Sequence, residues 1–350
     1  MSHIKKVICH VVAAPVQKPF TSSRGWLYKT RGSCIVEIET NDGVIGWGEC
    51  YGPSAVAKAF IDSQFGPRII GRDPFDVEVI WEDLYTRIKD YGTTGMAISA
   101  ISGIDIALWD IIGKSCGKPI HKLIGGSYRS EVTPYATGLY FIDMDRLIEE
   151  AVEEALEFKD SGFTAIKMKI GLGNLKFDIK RVEAVRKAVG DEMRLMVDAN
   201  HCFTVPQAIQ IGRELEKLQI EWFEEPISPE DLDGYVEVTR ALDMAVAGGE
   251  NEFTRWGFRD ILTRKAMDIV QPDVCAAVRP AADRQRLGRA VLAARTPARR
   301  RPHRRSRPTT ARLPGPAAQL VADDAGVLGR LGRGRKRGHR AVRSGLVFHP

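Results

Sequence analysis

The chain has no C-x-x-C pair among its six cysteines (Cys9, Cys34, Cys50, Cys116, Cys202 and Cys275), and it has no run of eighteen apolar residues. Scattered thiols of this kind argue against a zinc site, a redox motif or a disulfide framework. Without a long apolar run, and with no basic stretch leading into an apolar one at the start, the expectation is a cytoplasmic protein with no membrane partner. From Arg279 onward one sign of charge nearly disappears: 18 Arg and one Lys stand against three Asp and no Glu. Ile, Met, Tyr, Trp and Asn are missing there too. The whole chain carries a net charge of +6 over 350 residues, so this basic segment sits behind an acidic body. Its composition belongs to another population than the rest.

The body is well organised. In "SCIVEIETNDGVIGWGECYGP" two alternating apolar segments flank Asn41-Asp42-Gly43, a strong hairpin signal. Residues 96–114, "MAISAISGIDIALWDIIGK", are apolar on nearly all sides and predict a helix buried between layers. These features predict an α+β domain over residues 1–125. Beyond it, short apolar strands alternate with amphipathic helices, as in "TAIKMKI", "MRLMVDAN", "IEWFEEP", "MAVAGGE" and "MDIVQPD". Such alternation gives a parallel sheet with helices outside, either doubly wound or closed as a (β/α)8 barrel.

Spacing chooses between the two. Asp198, Glu224 and Glu250 each end an apolar strand, at equal steps of 26 residues, with Lys169 before them and Asp273 after them. Equal β/α units place such groups side by side on the C-terminal rim of a barrel, where barrel active sites lie. One such acid alone would pass for a strand-end or helix-capping residue. Three converging carboxylates need a cation or raised pKa values, and hard oxygen donors suit Mg2+. Lys167 and Lys169, two apart on a strand, face the same way into that rim. Their mutual repulsion, and a nearby divalent ion, are expected to lower a lysine pKa and make one of them a base. The reaction expected is proton removal beside a carboxylate. The plainer alternative is that the lysines only pair with the rim acids.

The combination K-x-K (Lys167, Lys169), D-A-N (Asp198 to Asn200), E-E-P (Glu224 to Pro226), G-G-E (Gly248 to Glu250) and Q-P-D (Gln271 to Asp273) resembles the mandelate racemase and muconate lactonizing branch of the enolase superfamily. "SGIDIALWDIIGKSCGKPIHKLIGG" resembles that branch's entry to its barrel. The resemblance implies an α/β fold, a modified (β/α)8 TIM barrel over 126–278 behind an N-terminal capping domain over 1–125. It implies Asp198, Glu224 and Glu250 as Mg2+ ligands, Lys169 as the base and Lys167 as a support for the substrate carboxylate. Asn200 would lie near a substrate hydroxyl, and the loop carrying Phe20, Trp26 and Tyr28 would cover the site. The wording is closest to members acting on sugar acids, dehydratases and cycloisomerases, and association into homo-oligomers is common in the branch. Racemases of the branch are an alternative, as is a barrel that only binds.

In the racemase-like group an acid at the position of Asp273 orients a histidine one strand later. His303 lies near the expected distance, but its arginine and proline neighbours cannot form a buried strand. The glycine pair expected after Cys275 is replaced by "AAVRPA". Residues 279–350 read as a shifted frame through GC-rich codons, leaving the barrel without its last strands and prone to aggregate. A nucleic-acid-binding arm is the rival reading, weakened by the lack of aromatics for stacking.

Overall fold

A computed structural model describes residues 2–277 except Tyr128 and Gly173. The readings placed on 279–350, among them the shifted frame, the nucleic-acid arm and His303 as second base, lie outside the described residues.

Strands β1 (Ile4–Thr21), β2 (Leu27–Thr40) and β3 (Ile45–Cys50) form an antiparallel sheet in that order. The Asn-Asp-Gly turn closes the second hairpin: Gly43 takes φ 85°, and Thr40 N–H donates to the Val44 carbonyl at 2.9 Å. Period-two burial puts Cys34, Val36, Ile38 and Cys50 inward. Among the described residues five α-helices follow: α1 (Ser54–Phe60), α2 (Gly66–Ile69), α3 (Val77–Ile88), α4 (Met96–Cys116) and α5 (Ile120–Leu123), with a π-helical turn at Ile61–Phe65 between the first two. Among the described residues α4 alone is long and apolar enough to cross a membrane, but it is largely buried and packs on β3. Its approach is close enough to require glycine on the strand. A Cβ at Gly46 would meet the Ala107 carbonyl oxygen at 2.1 Å, and one at Gly48 the Gly103 carbonyl oxygen at 1.9 Å.

The second sheet is parallel and runs β4 (Ala136–Gly138), β5 (Ala165–Lys169), β6 (Arg194–Asp198), β7 (Ile220–Glu224), β8 (Ala245–Gly248) and β9 (Ile269–Val270) in strict sequence order. A doubly wound sheet would reverse its order at a switch point, so sequential neighbours identify the barrel topology, of which six strands are described. The intervening helices are α6 (Leu147–Asp160), α7 (Leu175–Val189), α8 (Val205–Lys217), α9 (Leu232–Ala241) and α10 (Thr254–Arg264), followed by a short α11 (Val274–Ala277). Ile166, Met168, Leu195, Val197, Phe223 and Val246 bury one strand face against these helices. The opposite face holds a smaller cluster of Ala165, Met196, Trp222 and Ala247. Lys167 and Lys169 share the face of Ala165 by strand alternation, and therefore point to the barrel interior.

Several contacts seat the first domain on the barrel. Thr21, at the end of β1, exchanges both backbone hydrogen bonds with Phe141, at 2.8 and 3.0 Å. Elsewhere Trp81 and Tyr85 of α3 stack with Trp256 of α10.

Candidate active site

Register explains how the polar groups meet. Lys169 is the Cα partner of Asp198, and Asp198 that of Glu224. Parallel neighbours in register present side chains on the same face, so Lys169 arrives opposite Asp198, while Lys167, in register with Met196, reaches across to Glu224. Lys169 donates to Asp198, and Lys167 donates to Glu224 at 2.5 Å while standing 3.7 Å from Asp198. All four side chains are buried. Glu224 accepts two further bonds, from Trp222 Nε1 at 3.0 Å and Gln271 Nε2 at 2.9 Å. Asn200 turns into the left-handed region at φ 40°, and its backbone N–H donates to Asp198 at 2.9 Å.

The charges respond to this packing. Burial by itself lowers a lysine, but the facing Glu224 and Asp198 more than offset that and hold Lys167 well above its usual value. For Lys169, burial is likewise outweighed by Asp198, and the net shift is upward. The expectation of depressed lysines is therefore corrected for the protein alone: the same strand face that gathers the lysines gives each a buried anionic partner. Asp198 is held below the ordinary range because the two ammonium groups outweigh its burial. Glu250 goes the other way. Burial comes first, followed by Glu225, Asp198 and Glu224, and its carboxyl rises well above the usual value. Glu225, also buried and near Asp198, is pushed up to about 7.

As the side chains stand, no group of three His, Cys, Asp or Glu among the described residues is arranged to hold a metal ion. Asp198 and Glu224 are instead paired with the two lysines. The donors nevertheless fit a hard cation. Three carboxylates stand at the ends of adjacent units, and one of them, Glu250, is held well above its usual pKa by burial and then by its neighbours' charge. Asn200 Oδ1, Glu225 Oε2 and Gln271 Oε1 are buried acceptors without a hydrogen-bond partner. Surplus buried acceptors and surplus negative charge at one rim are what a divalent ion satisfies.

The remaining expected residues occupy distinct places. Phe20 stacks with Tyr28 at 5.2 Å and touches Tyr140 at 4.4 Å, while exposed Trp26 meets the edge of His201 at 5.8 Å. The loop is thus seated on the rim. Arg24 in the same loop lies 2.8 Å from His201 Nδ1, and Ser23 Oγ donates to the Ile170 carbonyl at 2.5 Å. Asp273 follows β9 and accepts the Cys275 N–H at 2.7 Å, which starts α11. Residues that the sequence reading did not assign also belong to the site. Tyr135 and Tyr140 place their rings 5.7 and 5.5 Å from the Lys167 and Lys169 ammonium groups, and Asn251 Nδ2 donates to Glu225 at 2.6 Å. The only signal for Glu225, Trp222 and Asn251 was adjacency to the strand-end acids.

Comparisons with known proteins give the family. The N-terminal domain of the mandelate racemase / muconate lactonizing enzyme family matches residues 4–125, and the enolase C-terminal domain-like family matches 150–279. The D-galactarolactone cycloisomerase of Agrobacterium fabrum is 44% identical over 273 residues, 78% of this chain and 71% of that protein. The arabinonate dehydratase of Saccharolobus solfataricus is 42% identical over 240 residues, 68% of this chain and 64% of that protein. Among solved structures, L-talarate/galactarate dehydratase from Salmonella typhimurium liganded with Mg and L-lyxarohydroxamate superposes with a TM-score of 0.75 at 30% identity, covering 84% of this chain and 76% of that one. The fold is that of an enolase-type enzyme, with a capping domain and a (β/α)8 barrel, and two of its solved neighbours, a racemase from Streptomyces coelicolor and the Salmonella dehydratase, hold bound magnesium. The chain belongs to the mandelate racemase / muconate lactonizing enzyme family of the enolase superfamily.

Proposed function

We propose that the chain removes the proton adjacent to the carboxylate of a sugar acid and then eliminates a β-oxygen, as a dehydratase or cycloisomerase. The observation that carries this is the pair Lys167 and Lys169, buried against Asp198 and Glu224 at the mouth of a barrel. In this reading Asp198, Glu224 and Glu250 hold the metal, Lys169 is the base, and Lys167 steadies the substrate carboxylate. Mg2+, when bound, supplies positive charge against the second negative charge that the carboxylate acquires. Asp198 and Glu224 would hold the ion, and a cation there would offset the negative charge that raises Lys169, while the Lys167 ammonium beside it lowers Lys169. The amine of Lys169 takes the proton and the C–H electron pair moves onto the carboxylate; that pair then returns to form a C=C bond as the β C–O bond breaks, its electrons leaving on oxygen. In this reading Asn200 meets a substrate hydroxyl, and Phe20, Trp26 and Tyr28 cover and select the substrate. Asp273 is kept as a supporting acid at the end of β9. Domain limits of 1–125 and 126–278, a cytoplasmic location and self-association complete the reading.

Named relatives act on galactarolactone and arabinonate, which supports a sugar acid. Incubation with aldonates, aldarates and their lactones, with and without Mg2+, tests it by product analysis. A 2-keto-3-deoxy acid or a rearranged lactone is expected. Inverted starting acid would point to racemisation instead, and no product from any acid would sink the proposal.

A further inference from the structure

We propose that Arg181 is a positioning residue that locks the backbone carrying Lys169 to the segment on which the capping strand docks. This rests on the reading of Lys169 as the base. Arg181 projects from α7 and is completely buried, yet its partners are neutral carbonyls. Nε donates to Leu147 at 3.0 Å, at the start of α6. Nη1 donates to the Lys169 carbonyl at 2.6 Å, and Nη2 to those of Leu139 at 2.5 Å and Tyr140 at 3.3 Å. One planar cation therefore ties together the ends of β4 and β5 and the start of α6. Lysine has no such fork.

The far side of the same backbone is held by the cap. Ser23 Oγ donates to the carbonyl of Ile170, the residue after Lys169, at 2.5 Å. Phe141, whose ring lies 4.6 Å from the guanidinium, exchanges backbone bonds with Thr21 of the capping strand. Tyr140 sits between, 4.4 Å from Phe20 and 5.5 Å from Lys169 Nζ. Leu139 takes φ 54°, a left-handed conformation rarely kept by such a residue unless neighbours hold it. Consecutive carbonyls at 169 and 170 are thus fixed by α7 and by the cap, and the aim of the base and the seating of the lid share one anchor. Arg181 is charged in this setting: burial lowers it, but only to about 10.

The test compares Arg181→Lys, and Phe141→Leu in case the first does not fold, with the full chain in Mg2+. Amide exchange is read at Thr21, Phe141 and Ile170, with Ala199 and Glu225 as controls bonded only to strand neighbours. Exchange at the first three is expected to quicken together while the controls and the Mg2+ affinity hold. For a base displaced by about 1 Å, turnover should fall roughly 10- to 100-fold with KM little changed. Unchanged exchange at Ile170, a rise at all five amides, or full turnover would overturn the proposal. Absence of proton abstraction in the unmodified chain would instead count against the function, and the amide pattern would still decide the role of Arg181.

Discussion

At the level of single residues, the site is a balance between two buried ammonium groups and an excess of carboxyl groups. Lys169→Met is expected to lower proton abstraction by about 10^2- to 10^4-fold, the range for losing a general base. It should still bind Mg2+, because the three carboxylates remain, and calorimetric titration with the ion checks that. Glu250 gives a pH prediction. Its native pKa is raised, burial first and then Glu225, so the folded protein without metal keeps a proton that the unfolded chain releases above its ordinary value. That contribution is fully present below the unfolded pKa and is lost as pH climbs toward the native one. Metal-free protein should therefore lose thermal stability with rising pH, and Glu250→Gln should flatten the slope while abolishing the Mg2+-dependent rise in Tm. Equal slopes for the two proteins would refute the assignment. The lysines and the three strand-end acids were legible because period-two strands and equal unit lengths fix where side chains go. The direction of the lysine shifts was not, since it depends on which group stands opposite in the next strand.

Among the secondary-structure elements, repetition made the barrel readable and its lack hid the rest. Strands β5 to β9 carry apolar runs bounded by turns, whereas β4 has only Ala136–Gly138 and offers no period to detect. Helix α4 was legible from its all-round apolarity. The reason for "GWGEC" in β3 was not, because it lies in the helix backbone that crosses the strand at Gly46 and Gly48. Gly48→Ala is expected to destabilise the chain by about 1–3 kcal/mol or more, as overpacking does, with urea melts as the check. Little change would mean that α4 can move away. The capping loop followed a similar rule: its aromatics were foreseen, but the bonds of Ser23 and Arg24 to the barrel depend on tertiary closeness alone.

For the whole molecule, the abrupt change of composition coincides with the end of the family match at residue 279. Reading the coding DNA across Val278 in all frames should reveal one that continues with a glycine pair and an apolar strand ending in histidine. If no frame does so, the basic segment is authentic and the second base is missing from that position. Cap and barrel together make one chemical claim, that a lysine at the end of β5 takes a proton beside a carboxylate. The most direct measurement is deuterium incorporation from D2O at that carbon across a panel of sugar acids, followed by NMR for the unmodified chain and Lys169→Met. Mg2+-dependent exchange or elimination is expected in the former, abolished by EDTA and by the substitution. Mg2+ binding without any exchange, or exchange that survives Lys169→Met, would contradict that claim.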